Sequence, residues 1–150
     1  MCIRDRDNTL RLLDARYELL GEDVDDLDGR PAHSYYQWSA LLRALSSFEA
    51  FAEVYRGSPG ARKVSELLLL RREVPRSLSA CMDELYQMLD GLPGDSGRPA
   101  QRLAAELNAR LRYTSIDEVL EEGLHAWLTE FIEQIHQLGG AIHTSYLEVA

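Results

Sequence analysis

The chain has 150 residues, of which 45% are hydrophobic, and its formal net charge at pH 7 is −9. The hydrophobic fraction excludes a disordered chain, and the length predicts a single domain with its own core. The acidic balance argues against a nucleic-acid-binding protein, which needs a basic face to displace phosphate counterions. The longest apolar run, residues 67–70, is far too short to cross a membrane.

The two cysteines and the first residues bear on the cellular compartment. Cys2 and Cys81 do not suggest a disulfide framework, and a free thiol at Cys81 would behave as a small hydrophobe inside a helix. The beginning of the chain carries charges but lacks the apolar segment of a signal peptide. We therefore predict a protein of the reducing cytoplasm.

Helical periodicity dominates the first half of the sequence. The first predicted helix covers residues 7–20, where apolar side chains recur at i, i+3 and i+7. Residues 22–31 form an acidic loop, which fails the calcium-binding register because Val24 and Tyr35 take the positions of the first and twelfth ligands. Capping boxes at Ser34 and Ser46 open the second and third predicted helices.

The second half of the sequence continues the same pattern. A helix over residues 61–72 is followed by Pro75, which ends it or begins the next helix, and by a loop over residues 92–97. A third capping box, at Ser115, opens the longest predicted helix, whose apolar period near 3.67 is typical of a nearly straight helix. The pair Gly139-Gly140 could bend or end it. No β-strand pattern is present, so we predict an all-α bundle of six or seven helices with a long C-terminal helix.

Two Glu-x-x-His pairs on the long predicted helix raise the question of a metal site. Glu122 and His125 form one pair, and Glu133 and His136 form the other. Di-iron bundles place such pairs on different helices, whereas these two lie on one helix, about 16 Å apart. They cannot share a dinuclear site, and we predict neither a metal nor another cofactor.

Acid–base catalysis has three candidate residues. Asp117, Glu118 and His125 lie within about two turns of the same predicted helix. The alternative role of the two acids is to stabilise the N-terminus of that helix through its dipole, and we favour this alternative. No nucleophile motif and no phosphate-binding glycine loop accompanies them, so an enzyme is the less favoured class.

Two features of the sequence are candidates for binding. Arginines flank Pro75 and could bind an anion or an acidic partner, although ion pairs within the chain are the simpler interpretation. An aromatic cluster follows the acidic loop and would form either a binding face or part of the core. The candidate residues are Arg72, Arg76, Tyr35, Tyr36 and Trp38.

Several segments, in this order and spacing, carry a family resemblance: Asp7-Asn8-Thr9, Tyr35-Tyr36-Gln37-Trp38, Arg72-Glu73-Val74-Pro75-Arg76 and Gly123-Leu124-His125. Together they resemble the alpha-E domain family of bacterial all-helical proteins. Members look about twice as long, and this chain resembles their C-terminal half. Their Glu-Arg motif is replaced here by Arg4-Asp5-Arg6. Residues 1–6 are therefore interpreted as foreign to the gene and residues 7–150 as the C-terminal half of the domain.

The resemblance implies a role beside other proteins. Alpha-E domains resemble accessory proteins encoded or fused beside ATP-grasp-type ligases and transglutaminase-like proteins, which implies an association with peptide or amide bond formation. We expect a non-catalytic partner module that binds one of those proteins or its own missing N-terminal half. The alternatives are an enzyme whose site that half completes, and a structural fragment whose exposed apolar face causes self-association.

Overall fold

A computed structural model of the chain describes residues 2–20, 33–92 and 97–147. This part of the chain contains helices and turns but no β-strand, which confirms the predicted all-α fold with a long helix near its C-terminus. The described residues form eight α-helices, where six or seven were predicted, and a π-helical turn, His143–Leu147, follows the last of them. The helices are α1 Cys2–Leu20, α2 His33–Ala44, α3 Phe48–Val54, α4 Ala61–Leu69, α5 Leu78–Asp90, α6 Arg98–Tyr113, α7 Ile116–Glu122 and α8 Leu124–Ile142.

Serine caps fix the beginnings of α5 and α7. The Oγ atom of Ser77 accepts a hydrogen bond of 3.0 Å from the backbone N–H of Ala80, so α5 begins at Leu78. The Oγ atom of Ser115 accepts one of 3.3 Å from the N–H of Glu118, as the third capping box predicted. The helix predicted over residues 61–72 ends earlier, at Leu69, and turns connect it to α5.

The capping box predicted at Ser46 is wrong. Ser46 has a φ of 54° and ends α2 instead of beginning α3. Its N–H donates to the carbonyl of Arg43, and the N–H of Ser47 donates to the carbonyl of Leu42, which together make a Schellman motif. Ser47 then becomes the N-cap of α3 without a side-chain capping bond, because its Oγ donates to the carbonyl of Leu45.

Gly123 breaks the long helix that the sequence predicts after Ser115. It has φ of 101° and ψ of 122°, a backbone conformation that residues other than glycine rarely adopt, and it separates α7 from α8. Gly139 and Gly140, where a bend was suggested, lie inside α8. The break allows α7 to pack on α4, whereas α8 packs on α1 and α6.

The core is built mainly from the buried face of α8 and the helices around it. The rings of Trp127 and Phe131 stack with their centroids 5.0 Å apart. The guanidinium of Arg110, from α6, lies 5.6 Å and 5.7 Å from the centroids of these two rings. Its Nη1 also donates a hydrogen bond of 2.8 Å to Gln134. Arg110 therefore covers the aromatic pair and joins α6 to α8.

Cys81 differs from the prediction in one respect. It is buried, as the helical pattern indicated, but its sulfur is bonded in a disulfide, so the expected free thiol is wrong. The periodicity of a helix indicates which of its faces is buried, but it does not indicate which side chain of another segment contacts that face. Among the described helices, none combines the length and the apolar content required to cross a bilayer.

Replacing Gly123 by alanine should destabilise the protein by about 1–3 kcal/mol, because alanine would be held at a strongly unfavourable positive φ. No atom lies within 4 Å of the added Cβ, so a steric clash would not contribute to this cost. Gly140→Ala is the matched control, since its Cβ also meets nothing and its place in α8 predicts a gain of up to about 1 kcal/mol. Urea unfolding of both variants measures the difference, and equal effects would contradict the role assigned to Gly123.

Candidate functional site

A polar groove runs between α1 and α8. Asp7, Arg11 and Asp14 occupy positions i, i+4 and i+7 of α1, and the helical repeat therefore places them on one face. Histidines of α8 lie opposite this face. The groove encloses about 480 Å³ and is lined by Arg11, Asp14, Ala15, His125, Thr129, Ile132, Glu133 and His136.

One end of the groove holds an aspartate–histidine pair. The Nδ1 atom of His125 lies 2.8 Å and 3.0 Å from the two carboxylate oxygens of Asp14. The Asp14 side chain is 20% exposed and the His125 side chain 61%. Because an ionised carboxylate only accepts hydrogen bonds, Nδ1 carries the proton in this pair. In the neutral imidazole, Nε2 is then the acceptor.

The other end of the groove holds a second, looser pair. The Nε2 atom of His136 lies 3.5 Å from Oδ1 of Asp7, which is an ion-pair distance and too long for a hydrogen bond. The Oδ2 atom of Asp7 accepts a hydrogen bond of 3.2 Å from Nε of Arg11. Neither Asp7 nor Asp14 was predicted as a partner of a histidine. The sequence indicates that these two residues share one face of α1, but it does not indicate that α8 packs against that face.

The three predicted acid–base residues contact different elements. Asp117 forms an ion pair of 2.5 Å with Arg62 of α4, and both side chains are more than half exposed. Glu118 is exposed, and its backbone N–H is the donor to the cap at Ser115. His125 contacts Asp14 of α1. The sequence grouped the three on one helix, and the break at Gly123 puts His125 on a different helix from the two acids.

The two Glu-x-x-His pairs differ in whether both residues lie on one helix. Glu122 and His125 lie on either side of the break at Gly123, whereas Glu133 and His136 share α8. Within residues 2–20, 33–92 and 97–147, no three side chains of His, Cys, Asp or Glu form a group suited to a metal ion. The acidic loop over residues 22–31, which the sequence analysis compared with a calcium site, lies outside the described residues.

Arg72 takes part in a polar network within the chain. Its Nη1 lies 2.8 Å from Oδ1 of Asp83 on α5, and its Nη2 donates a bond of 3.2 Å to Oδ1 of Asn108 on α6. The amide of Asn108 also donates to Asp83, at 3.3 Å. Asn108 is buried, so its amide requires these partners. Arg72 thus joins the turn before α5 to both α5 and α6, as the alternative of ion pairs within the chain predicted.

Arg76 and the aromatic cluster are placed differently from one another. Arg76 is exposed and forms no ion pair with any described residue. Trp38 is completely buried in the core, whereas the side chain of Tyr36, two residues earlier, is 70% exposed. The side chain of Tyr35 lies outside the described part of the structure. Trp38 therefore takes the core role that the sequence left open, and Tyr36 lies on the surface.

Comparison with known proteins agrees with this helical architecture. The sequence profile of the family named Alpha-E, described as "a predicted alpha-helical domain with a conserved ER motif", matches residues 5–147. The chain belongs to the Alpha-E family. This result confirms the resemblance drawn from the sequence segments.

The relatives of this Alpha-E chain are much longer proteins. Uncharacterized proteins of Mycobacterium bovis and of two strains of Mycobacterium tuberculosis are 41% identical to it over 102 residues. Each match covers 65% of this chain and only 11% of the relative. No solved structure matches the chain.

A third arginine of the Alpha-E chain, Arg71, lies in a cluster that joins α3 to α4. The hydroxyl of Tyr55 donates a short hydrogen bond to Glu66, and Nε of Arg71 donates one of 3.3 Å to the same hydroxyl. Arg71 also forms ion pairs of 3.2 Å with Glu66 and Glu73. Burial, followed by the bond to Glu66, raises the pKa of Tyr55 to about 12, although Arg71 acts in the opposite direction. The bond to Tyr55 is the main cause of a raised pKa at Arg71.

The raised pKa of Tyr55 predicts a loss of stability at high pH. In the unfolded chain its hydroxyl ionises at the usual value of 10.0, whereas in the folded protein it keeps its proton up to about pH 12. Its contribution is therefore complete below pH 10 and declines as the pH rises from 10 to 12. The test is to measure the free energy of unfolding across this range for the natural protein and for Tyr55→Phe. We expect the difference between them to shrink, and a constant difference would contradict the shift.

Proposed function

We propose that this Alpha-E domain is a non-catalytic helical module that serves as an accessory partner in an ATP-grasp-type ligase system, which forms peptide or amide bonds. The observation that supports this proposal best is that candidate acid–base side chains form pairs between helices. Asp117 pairs with Arg62 of α4, and His125 pairs with Asp14 of α1. Each of them joins two helices, and they do not converge on a common centre.

Such pairs are better suited to fixing geometry than to supplying stability. Exposed ion pairs contribute about 0–1 kcal/mol each, because water screens them and long side chains lose freedom. Their value here lies in setting how α1, α4, α7 and α8 are oriented relative to one another. A set of helices with fixed orientation presents a defined surface, which is what a partner module requires.

The class of partner comes from the family. Alpha-E domains resemble accessory proteins found beside ATP-grasp-type ligases and transglutaminase-like proteins, so a protein of either kind is the proposed partner. The N-terminal half of an Alpha-E protein is a further proposed partner. The long relatives are consistent with a modular role, because the matched segment makes up 11% of each of them.

A binding assay tests the proposal directly. The 150-residue chain would be immobilised and exposed to a purified ATP-grasp-type ligase encoded beside an Alpha-E gene, and binding would be measured by biolayer interferometry. We expect the ligase to bind saturably. A transglutaminase-like protein from the same gene neighbourhood would be tested in the same way as the alternative partner. If neither protein binds, with or without the N-terminal half of an Alpha-E relative, the proposed function is wrong.

One observation favours a second candidate function, an enzyme with its site in the groove between α1 and α8. The carboxylate of Asp14 orients His125 in the way that acid–base catalysis requires of an imidazole. Thr129 and Glu133 line the same groove. In this alternative, the N-terminal half of an Alpha-E protein would supply the remaining groups of the site.

The variant His125→Ala separates the two candidates. If the module is non-catalytic, product formation by the reconstituted ligase system should change by less than about twofold. The pair with Asp14 is largely exposed on the histidine side, so the variant should lose no more than about 1 kcal/mol of stability. His143→Ala, in the π-helical turn, is the control. A loss of about a hundredfold or more with unchanged stability would favour the enzyme.

A further inference from the structure

A second cavity lies between α1, the corner after α2, α4 and the turn before α5. It encloses about 290 Å³, and two arginines, Arg6 and Arg76, are among the residues that line it. None of the described residues that line this cavity carries a carboxylate, although the whole chain has a net charge of −9. A local positive site in an acidic protein attracts anionic groups at short range, because salt screens the remaining charges beyond roughly 8 Å.

Arg76 differs from its neighbours in the sequence. Arg71 and Arg72 are paired with carboxylates of the chain, whereas Arg76 has no such pair among the described residues. Arginine binds carboxylates through two parallel N–H donors, and an exposed guanidinium keeps both of them accessible to a ligand. Arg6 lines the same cavity, so the two arginines are tested separately.

The remaining walls of the cavity are partly apolar. Leu12, Leu45 and Leu68 line it, and the side chain of Leu12 is 46% exposed. Asn8 and Ser47 also line the cavity and add polar groups. The volume is at the lower limit of ligand pockets, which run from about 300 Å³ upward, so it accommodates one or two side chains and no large cofactor.

We propose that this cavity is the docking site for an acidic segment of a protein partner, in which a glutamate or aspartate carboxylate binds Arg76 and an adjacent apolar side chain packs on Leu12 and Leu45. The proposal rests on the proposed role as a partner module and adds where the partner binds and what chemistry it presents. Charge complementarity selects the acid, and the leucine walls select its apolar neighbour.

The test uses a pair of short peptides that differ in one charge. Acetyl-Leu-Glu-Leu-amide and acetyl-Leu-Gln-Leu-amide would be titrated into the chain, and the backbone amide signals of Asn8, Leu12 and Ser47 would be followed by NMR. We expect the Glu peptide to bind at least about tenfold more tightly, which is the effect of one charge-assisted contact. Equal affinity for the two peptides, or no shift at these amides, would overturn the proposal.

Variants assign the effect to Arg76. In Arg76→Gln the preference for the Glu peptide should disappear, whereas Arg76→Lys should keep part of it. Arg56→Gln removes the same charge from another exposed position and should keep the full preference. A loss confined to Arg6→Gln would overturn the assignment. Thermal unfolding should be nearly the same for the variants of Arg76 and Arg56, because both side chains are exposed.

Three further outcomes distinguish a failure of this docking proposal from a failure of the proposed function. If inorganic phosphate binds as tightly as the Glu peptide and with the same dependence on Arg76, the site is for small anions and the docking proposal is wrong. If the ligase binds the natural chain and Arg76→Gln equally well, the docking site lies elsewhere while the proposed function stands. If the ligase binds neither, the proposed function itself fails.

Discussion

The positive φ of Gly123 is the constraint on which the arrangement of the other helices depends. It divides the C-terminal stretch into α7, which packs on α4, and α8, which lies along α1 and α6. A continuous straight helix from residue 116 could not pack on α4 and also on α1 and α6, because these neighbours require different helix directions. The apolar stripe of α8 then packs on α1 and α6, and the core forms between these helices.

Polar side chains settle how these helices are oriented. Arg110 covers the aromatic pair of α8, and Arg72 bridges two helices through Asp83 and Asn108. Packing alone would permit small rotations of each helix, whereas a buried amide such as that of Asn108 accepts only the arrangement that satisfies it. Hydrophobic burial supplies most of the stability of such a bundle, and the arginine contacts select one geometry among the similar ones.

The sequence predicted those features that depend on neighbours along the chain. Helical periodicity located most helices, and the serine cap at Ser115 was found because capping is a local interaction. The break at Gly123 was missed because the apolar steps of four, four and three continue through it without interruption. The Schellman turn at Ser46 was missed because serine has no intrinsic preference for positive φ. Family membership, by contrast, needed only the order of short segments.

The candidate site was harder to predict, because its contacts join distant parts of the chain. The pair of Asp14 and His125 spans 111 residues, and nothing in either local sequence indicates the other. The different environments of the two arginines could not be predicted for the same reason. Arg72 contacts Asp83 and Asn108, whereas Arg76, four residues later, lines a cavity. A helical repeat can specify which residues share a face, and it cannot specify which face another helix will cover.

The contact between the first and last long helices also determines when the protein can fold during its synthesis. α1 is synthesised before α8, yet most of its packing surface belongs to α8, which emerges more than a hundred residues later. Contacts of such long sequence separation form late, because a long loop must close before they are rewarded. Until then the side of α1 that packs on α8 is uncovered, and in this interval the nascent chain is exposed to aggregation and to chaperones.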